Sequence, residues 1–199
     1  MVRENKIKAQ KNVFLSASVP IEGREYFGTE DVIAIRDSVI ALTSVVLSRP
    51  EYHLIWGGHP SITPLISLVL ERFNLKMSNR VTLYQSEYFK EQFSKEYVDV
   101  GVCVTTNSLA DAESSLRLMR EKMLSENEYE VAVFIGGMDG VLNEYKMIRH
   151  YHPTVRCLPV ASTGAASRYL YDANPEMFDH RLLTELSYAS LFKELIICV

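Results

Sequence analysis

The sequence has little of what would place it in several common classes. Its 199 residues include only three cysteines, Cys103, Cys157 and Cys198, each in an apolar run and at no spacing that suits a metal. They read as buried, reduced, structural thiols. His150 and His152 flank Tyr151 without the cysteine or carboxylate partners of a zinc site, so neither a metal nor a cofactor is assigned. No apolar stretch approaches the ~20 residues that cross a bilayer, and the polar start over residues 1–6 lacks a signal-peptide core. The expectation is a cytoplasmic protein with no membrane partner. A basic excess is missing as well: 21 Lys and Arg stand against 25 Asp and Glu, for a net charge of −4. That balance argues against a nucleic-acid partner and leaves room for a small anionic ligand held by local groups.

Familiar nucleotide motifs are also missing. No Gly-x-Gly-x-x-Gly follows the first strand and no Gly-x-x-x-x-Gly-Lys-Ser/Thr occurs, which sets aside an ordinary dinucleotide site and a P-loop NTPase. No Gly-x-Ser-x-Gly elbow is present. There is no repeat and no low-complexity linker. A chain of this length suits one domain, with residues 1–11 as a loose, charged lead-in.

What is present is regular alternation. Strand-like runs lie at 13–16, 53–56, 81–84, 100–104, 131–135 and 155–160. Helical spacing appears at 29–47 (with Thr29 or Asp31 as cap), 60–73, 109–124, 140–149 and 162–171. Pro60 is placed near the first turn of the second helix. The last segment, 181–199, reads as a helix followed by a final strand. Such β-α alternation predicts an α/β fold, a doubly wound parallel sheet in a single Rossmann-like domain.

Two glycine turns carry the functional signal: Gly57-Gly58-His59-Pro60-Ser61-Ile62-Thr63 and Gly136-Gly137-Met138-Asp139-Gly140. Each follows an apolar strand and opens onto a helix, where bare amides and a helix dipole favour phosphate. Two such turns suggest a nucleotide-sized pocket at the carboxyl ends of the strands. Glu144 falls at the border of the apolar face of the helix after Gly140, where a carboxylate reaches a ribose hydroxyl or acts as a base. A third small-residue turn holds Thr163 as a cap and Gly164, with Arg168 following within reach; it serves either a ligand or close packing of helix on sheet.

The stretch from Gly136 to Glu144 resembles the Gly-Gly-x-Gly-Thr-x-x-Glu signature of the lysine-decarboxylase-like LOG proteins, which are nucleoside-monophosphate phosphoribohydrolases. One extra residue separates the glycines, and Val141 stands at the threonine. Arg120 takes the arginine position of their Glu-Arg-Lys motif, with Met119 and Glu121 on either side. Together with Ser16-Ala17-Ser18 and the first glycine turn, these residues resemble the broader SLOG superfamily. The branches associated with TIR domains and nucleoside-phosphorylase-like proteins in bacterial conflict systems are the most similar.

The resemblance implies a domain that binds or processes a nucleotide or an ADP-ribose-derived signal, in anti-phage defence, with a TIR or nucleoside-phosphorylase-like partner. It implies Ser16 and Ser18 at the tip of the first strand, and Gly57, Gly58 and His59 against phosphate or ribose. Ser61 and Thr63 add hydroxyl contacts, and Gly136, Gly137, Met138 and Gly140 form a second cradle. Arg120 supplies the positive charge, and Ser16 and Ser18 equally suit a simple turn. A homo-oligomer is also implied, with residues 191–199 as its interface or as completion of the sheet. Two functions stay open: a sensor of a small nucleotide ligand, favoured by Glu121 and Met119, and an N-glycosidase in which Glu144 and Arg120 are catalytic. A scaffold with a vestigial pocket is the third.

Overall fold

The computed structural model describes residues 10–76, 78–93 and 101–198. Residues 1–9 of the expected lead-in, and Val100 of the expected fourth strand, lie outside the described residues. Six strands form one parallel sheet: β1 (Lys11–Ser18), β2 (Tyr52–Trp56), β3 (Val81–Ser86), β4 (Val102–Thr106), β5 (Val131–Gly136) and β6 (Arg156–Val160). Their order is β4-β3-β2-β1-β5-β6. The chain moves outward from β1 to β4 and then returns to the other side of β1, so the winding reverses between β1 and β5. In open α/β sheets a ligand crevice forms outside the carboxyl ends of the strands at such a reversal.

Central strands buried on both faces are continuous apolar runs, and the side-chain period of two sorts them into two layers. Val13, Leu15, Leu54, Trp56, Val131, Val133 and Ile135 face helices α1 (Val32–Leu47) and α2 (Thr63–Arg72). Phe14, Ile55, Ala132 and Phe134 face α3 (Ala112–Ser125), α4 (Asp139–Tyr151) and α5 (Ala165–Ala173). Asp31, not Thr29, caps α1, its Oδ1 accepting from the Ala34 amide at 2.9 Å. Helix α2 starts later than its apolar pattern suggests, with Pro64 rather than Pro60 in its first turn.

The C-terminal segment departs from expectation. It forms two short helices, α6 (Arg181–Thr184) and α7 (Tyr188–Phe192), and one π-helical turn at Lys193–Ile197, with no strand among its described residues. Leu191, Phe192, Leu195 and Ile196 are buried in the α1 layer, and the Tyr52 hydroxyl donates to the Ile196 carbonyl at 2.9 Å. An unpatterned apolar run cannot by itself distinguish strand from buried helix. Cys103 and Cys157 are partly buried, and burial pushes the Cys157 thiol up to about 11. Cys198 is exposed, contrary to the reading of all three as core. His152 is a strut: its buried ring donates from Nε2 to the Leu124 carbonyl at 2.6 Å. No described helix is long and apolar enough to cross a membrane.

Candidate functional site

Register decides what stands at the carboxyl edge. Leu15 lies opposite Trp56, the last residue of β2, so Ser16 sits beside Gly57, while β1 continues to pair with β5 as far as Ser18 and Gly136. A cavity of about 740 Å³ opens over this edge, within the usual 300–1,000 Å³ of ligand sites. Of the expected site residues, Ser16, Ser18, Gly57, Gly58, His59, Ser61, Arg120, Met138, Gly140 and Glu144 line it.

At its centre is a three-residue chain. Val141, Glu144 and Ile148 are the buried positions of α4, so Glu144 lies within the sheet-facing stripe rather than at its border. The Ser16 hydroxyl donates to Glu144 Oε2 at 2.5 Å, and Arg120 Nε donates to Oε1 at 3.0 Å. The Glu144 and Arg120 side chains are 12% and 17% exposed. A carboxylate taken this far from water needs both donors. The absence of Cβ at Gly140 lets the guanidinium in, since a methyl there would stand 2.8 Å from Arg120 Nη2. At Gly57 the packing is looser: a methyl there would stand 3.3 Å from Met119 Cε and 4.0 Å from Glu144 Oε1.

Helix α4 begins at this point without a side-chain cap on Met138. The Val141 amide bonds back to the Met138 carbonyl at 2.9 Å, and the amides before it, in the first turn, have no intrahelical partner. A phosphate set there meets those amides, the helix dipole and the Nη groups of Arg120.

The second glycine turn works differently from the cradle expected of it. The Gly136 amide donates to Thr163 Oγ1 at 2.8 Å, and the Gly137 amide to the Ser18 carbonyl at 2.8 Å. Both glycines have positive φ, 55° and 93°, and neither lines the cavity. They join β5 to α4, and the Thr163 hydroxyl, which donates on to the Val160 carbonyl at 2.6 Å, clamps them. Gly164 allows close packing, since a methyl there would lie 2.2 Å from the Thr29 carbonyl. Arg168 pairs with Asp172 on the surface, away from the cavity. Thr63 is buried under Trp56, accepting from its indole Nε1 at 3.3 Å.

His59 is held in one tautomer. Its Nδ1 accepts from the Ser61 amide at 3.2 Å and lies 2.8 Å from Ser61 Oγ, which itself accepts from the Val19 amide at 3.2 Å. A backbone N–H only donates, so the ring proton is on Nε2. Burial pushes the His59 pKa down to about 4. Between its unfolded value near 6.5 and this folded value, the unfolded chain binds the extra proton, so stability is complete above 6.5 and falls as pH drops toward 4. Lowering the pH from 7 to 5 is expected to remove about 2 kcal/mol through this group. Denaturant unfolding at the two pH values checks it, with His59→Gln expected to flatten the dependence.

The sequence of the SLOG cluster3 family matches this chain over residues 25–196. The chain belongs to the SLOG cluster3 family. The X-ray structure of TM1055, a structural genomics target, is similar over 94% of this chain and 100% of its own, at 17% identity and a TM-score of 0.63. That likeness is one of fold, and it agrees with the Rossmann-like parallel sheet. No curated protein matches the chain. Membership of the SLOG cluster3 family points to a nucleotide-related function.

Several residues that line the cavity carry no signal in the sequence. Gln85 and Ser86 at the end of β3, Phe89, Gln92 and Phe93 just after it, and Arg24 before α1 also line the cavity. None belongs to the two glycine turns of the site; sheet order brings Gln85, Ser86 and the residues after them to the edge, and Arg24 arrives on the turn that closes on Ile21.

Proposed function

We propose that this protein binds a nucleotide or an ADP-ribose-type derivative across the carboxyl edge of its sheet, as a sensor domain. The observation that carries this reading is the Ser16–Glu144–Arg120 chain beside the uncapped start of α4. Phosphate takes the α4 amides and Arg120, and ribose hydroxyls donate to Glu144. His59 adds an uncharged donor. A role in anti-phage signalling, with a TIR-type protein supplying the ligand, belongs to the same proposal and rests on the family resemblance.

One observation favours a second reading as an N-glycosidase: Glu144 is an oriented carboxylate in the cavity, placed to stabilise positive charge growing on a ribose. A single experiment separates the two. Purified protein is incubated with adenosine phosphates, ADP-ribose and cyclic ADP-ribose isomers, followed by thermal shift and mass spectrometry. Intact ligand with a raised Tm is expected for the sensor, because a ligand selective for the native state stabilises it by mass action. Free base, lost in Glu144→Gln, would establish the glycosidase. No shift and no cleavage across the panel would remove the nucleotide reading.

A further inference from the structure

The cavity has a second polar end, at β3, that the phosphate and ribose contacts leave unused. Gln85 is 7% exposed, lines the cavity and has its carboxamide fixed. Its Nε2 donates to the Gly58 carbonyl at 2.9 Å. This approach requires glycine: φ at Gly58 is 67°, and a Cβ there would stand 2.0 Å from Gln85 Nε2. Because a carbonyl only accepts, the bond sets which amide atom faces Gly58. Gln85 Oε1 takes no hydrogen bond from another described residue, and it is open to the cavity rather than sealed off, since the fully buried unpaired side-chain atoms among the described residues are Glu30 Oε2 and Ser78 Oγ. A ligand that covers this oxygen without offering a donor leaves a buried acceptor unpaired, which is unfavourable, whereas a donor on the ligand satisfies it.

The surroundings suit a flat ring. Phe89 and Phe93 follow β3, and Leu116 and Met119 come from α3. Aromatic and thioether groups pack well on base faces. Along the edge, Gln85 lies one residue before the end of β3, Gly57 follows β2, Ser16 lies on β1 and Met138 follows β5. Three strand spacings separate the outer pair, about 14 Å, comparable to an extended nucleoside phosphate.

We infer that Gln85 reads the base of the ligand, accepting a hydrogen bond at Oε1 from an exocyclic amino group. The inference rests on the nucleotide reading proposed above. A site built around one such bond rejects the analogue lacking the donor, because its own buried acceptor is then unpaired.

The test is calorimetric titration of the intact protein with two matched pairs. One is AMP against purine riboside 5′-monophosphate, which lacks the 6-amino group; the other is CMP against UMP. The amino-bearing member of at least one pair is expected to bind at least tenfold more tightly, and Gln85→Leu is expected to bind both members of that pair equally. Equal binding within both pairs by the wild type, or a preference that survives in Gln85→Leu, would overturn base reading alone. Failure of all four to bind would overturn base reading, and failure of ADP-ribose and its cyclic isomers as well would overturn the nucleotide reading with it. The wild-type comparison needs no variant, so it decides even if Gln85→Leu disturbs the Gly58 turn.

Discussion

Deleting residues 191–199 is expected to give an insoluble or largely unfolded chain. Leu191, Phe192, Leu195 and Ile196 are each at most 9% exposed and pack into the same cluster as Ile35, Val39, Leu42 and Val46 of α1. Removing one buried leucine, isoleucine or phenylalanine side chain typically costs about 2–5 kcal/mol. Four together reach or exceed the roughly 5–15 kcal/mol that holds an ordinary domain. The deletion also takes away the Ile196 carbonyl that accepts from the buried Tyr52 hydroxyl. Soluble yield and far-UV circular dichroism of the truncated protein measure the effect. A soluble, folded product of smaller assembly size would instead return this segment to the role of an interface between copies.

That contrast shows where the sequence is informative and where it is not. The six strands and the helices between them are visible because each buried strand is a short apolar run bounded by turn residues, and each helix has an apolar stripe, with an aspartate cap on α1 and α3. Asp31 and the stripe Ile35, Val39, Leu42 and Val46 are an example. The last segment has no such stripe, so its helical turns depend on packing against α1. In the site, Ser16, Arg120 and Glu144 can be picked out because they lie at strand tips or at motif spacing from glycine. Gln85 cannot, since a glutamine near the end of a strand looks like any polar strand end until sheet order puts it beside Gly58.

The second glycine turn is a subtler case. Its glycines are visible, but their purpose is not. Positive φ is needed at Gly136 and Gly137 because the chain turns into α4 there, and a methyl at Gly137 would stand 2.2 Å from a Val141 methyl. The Thr163 hydroxyl and the Ser18 carbonyl take the two amides. Thr163 lies 27 residues beyond Gly136 in the chain and Ser18 lies on β1, and no local pattern reveals either partner.

Replacing Arg120 with alanine is expected to weaken nucleotide binding by about tenfold to a hundredfold. A charge-assisted hydrogen bond contributes roughly 1.5–3 kcal/mol, and every 1.4 kcal/mol is about a tenfold change in affinity. Arg120 touches Gly140 in the first turn of α4, where its Nη groups and the open amides share one anion. Removing it takes away the countercharge and one donor on Glu144 together. The protein therefore also loses stability, by about 1–2 kcal/mol, because a mostly buried carboxylate is left with Ser16 as its remaining side-chain donor. For a chain of this size that corresponds to a fall in Tm of a few degrees. The double variant Arg120→Ala/Glu144→Gln separates the two effects, since neutralising Glu144 removes the stranded charge. Its Tm is expected to recover toward the wild type while its affinity does not. Full affinity in Arg120→Ala, measured by calorimetry against the ligand that the panel identifies, would place the phosphate elsewhere than at α4. A double variant no more stable than Arg120→Ala would mean that Glu144 is not held as a buried charge by this arginine.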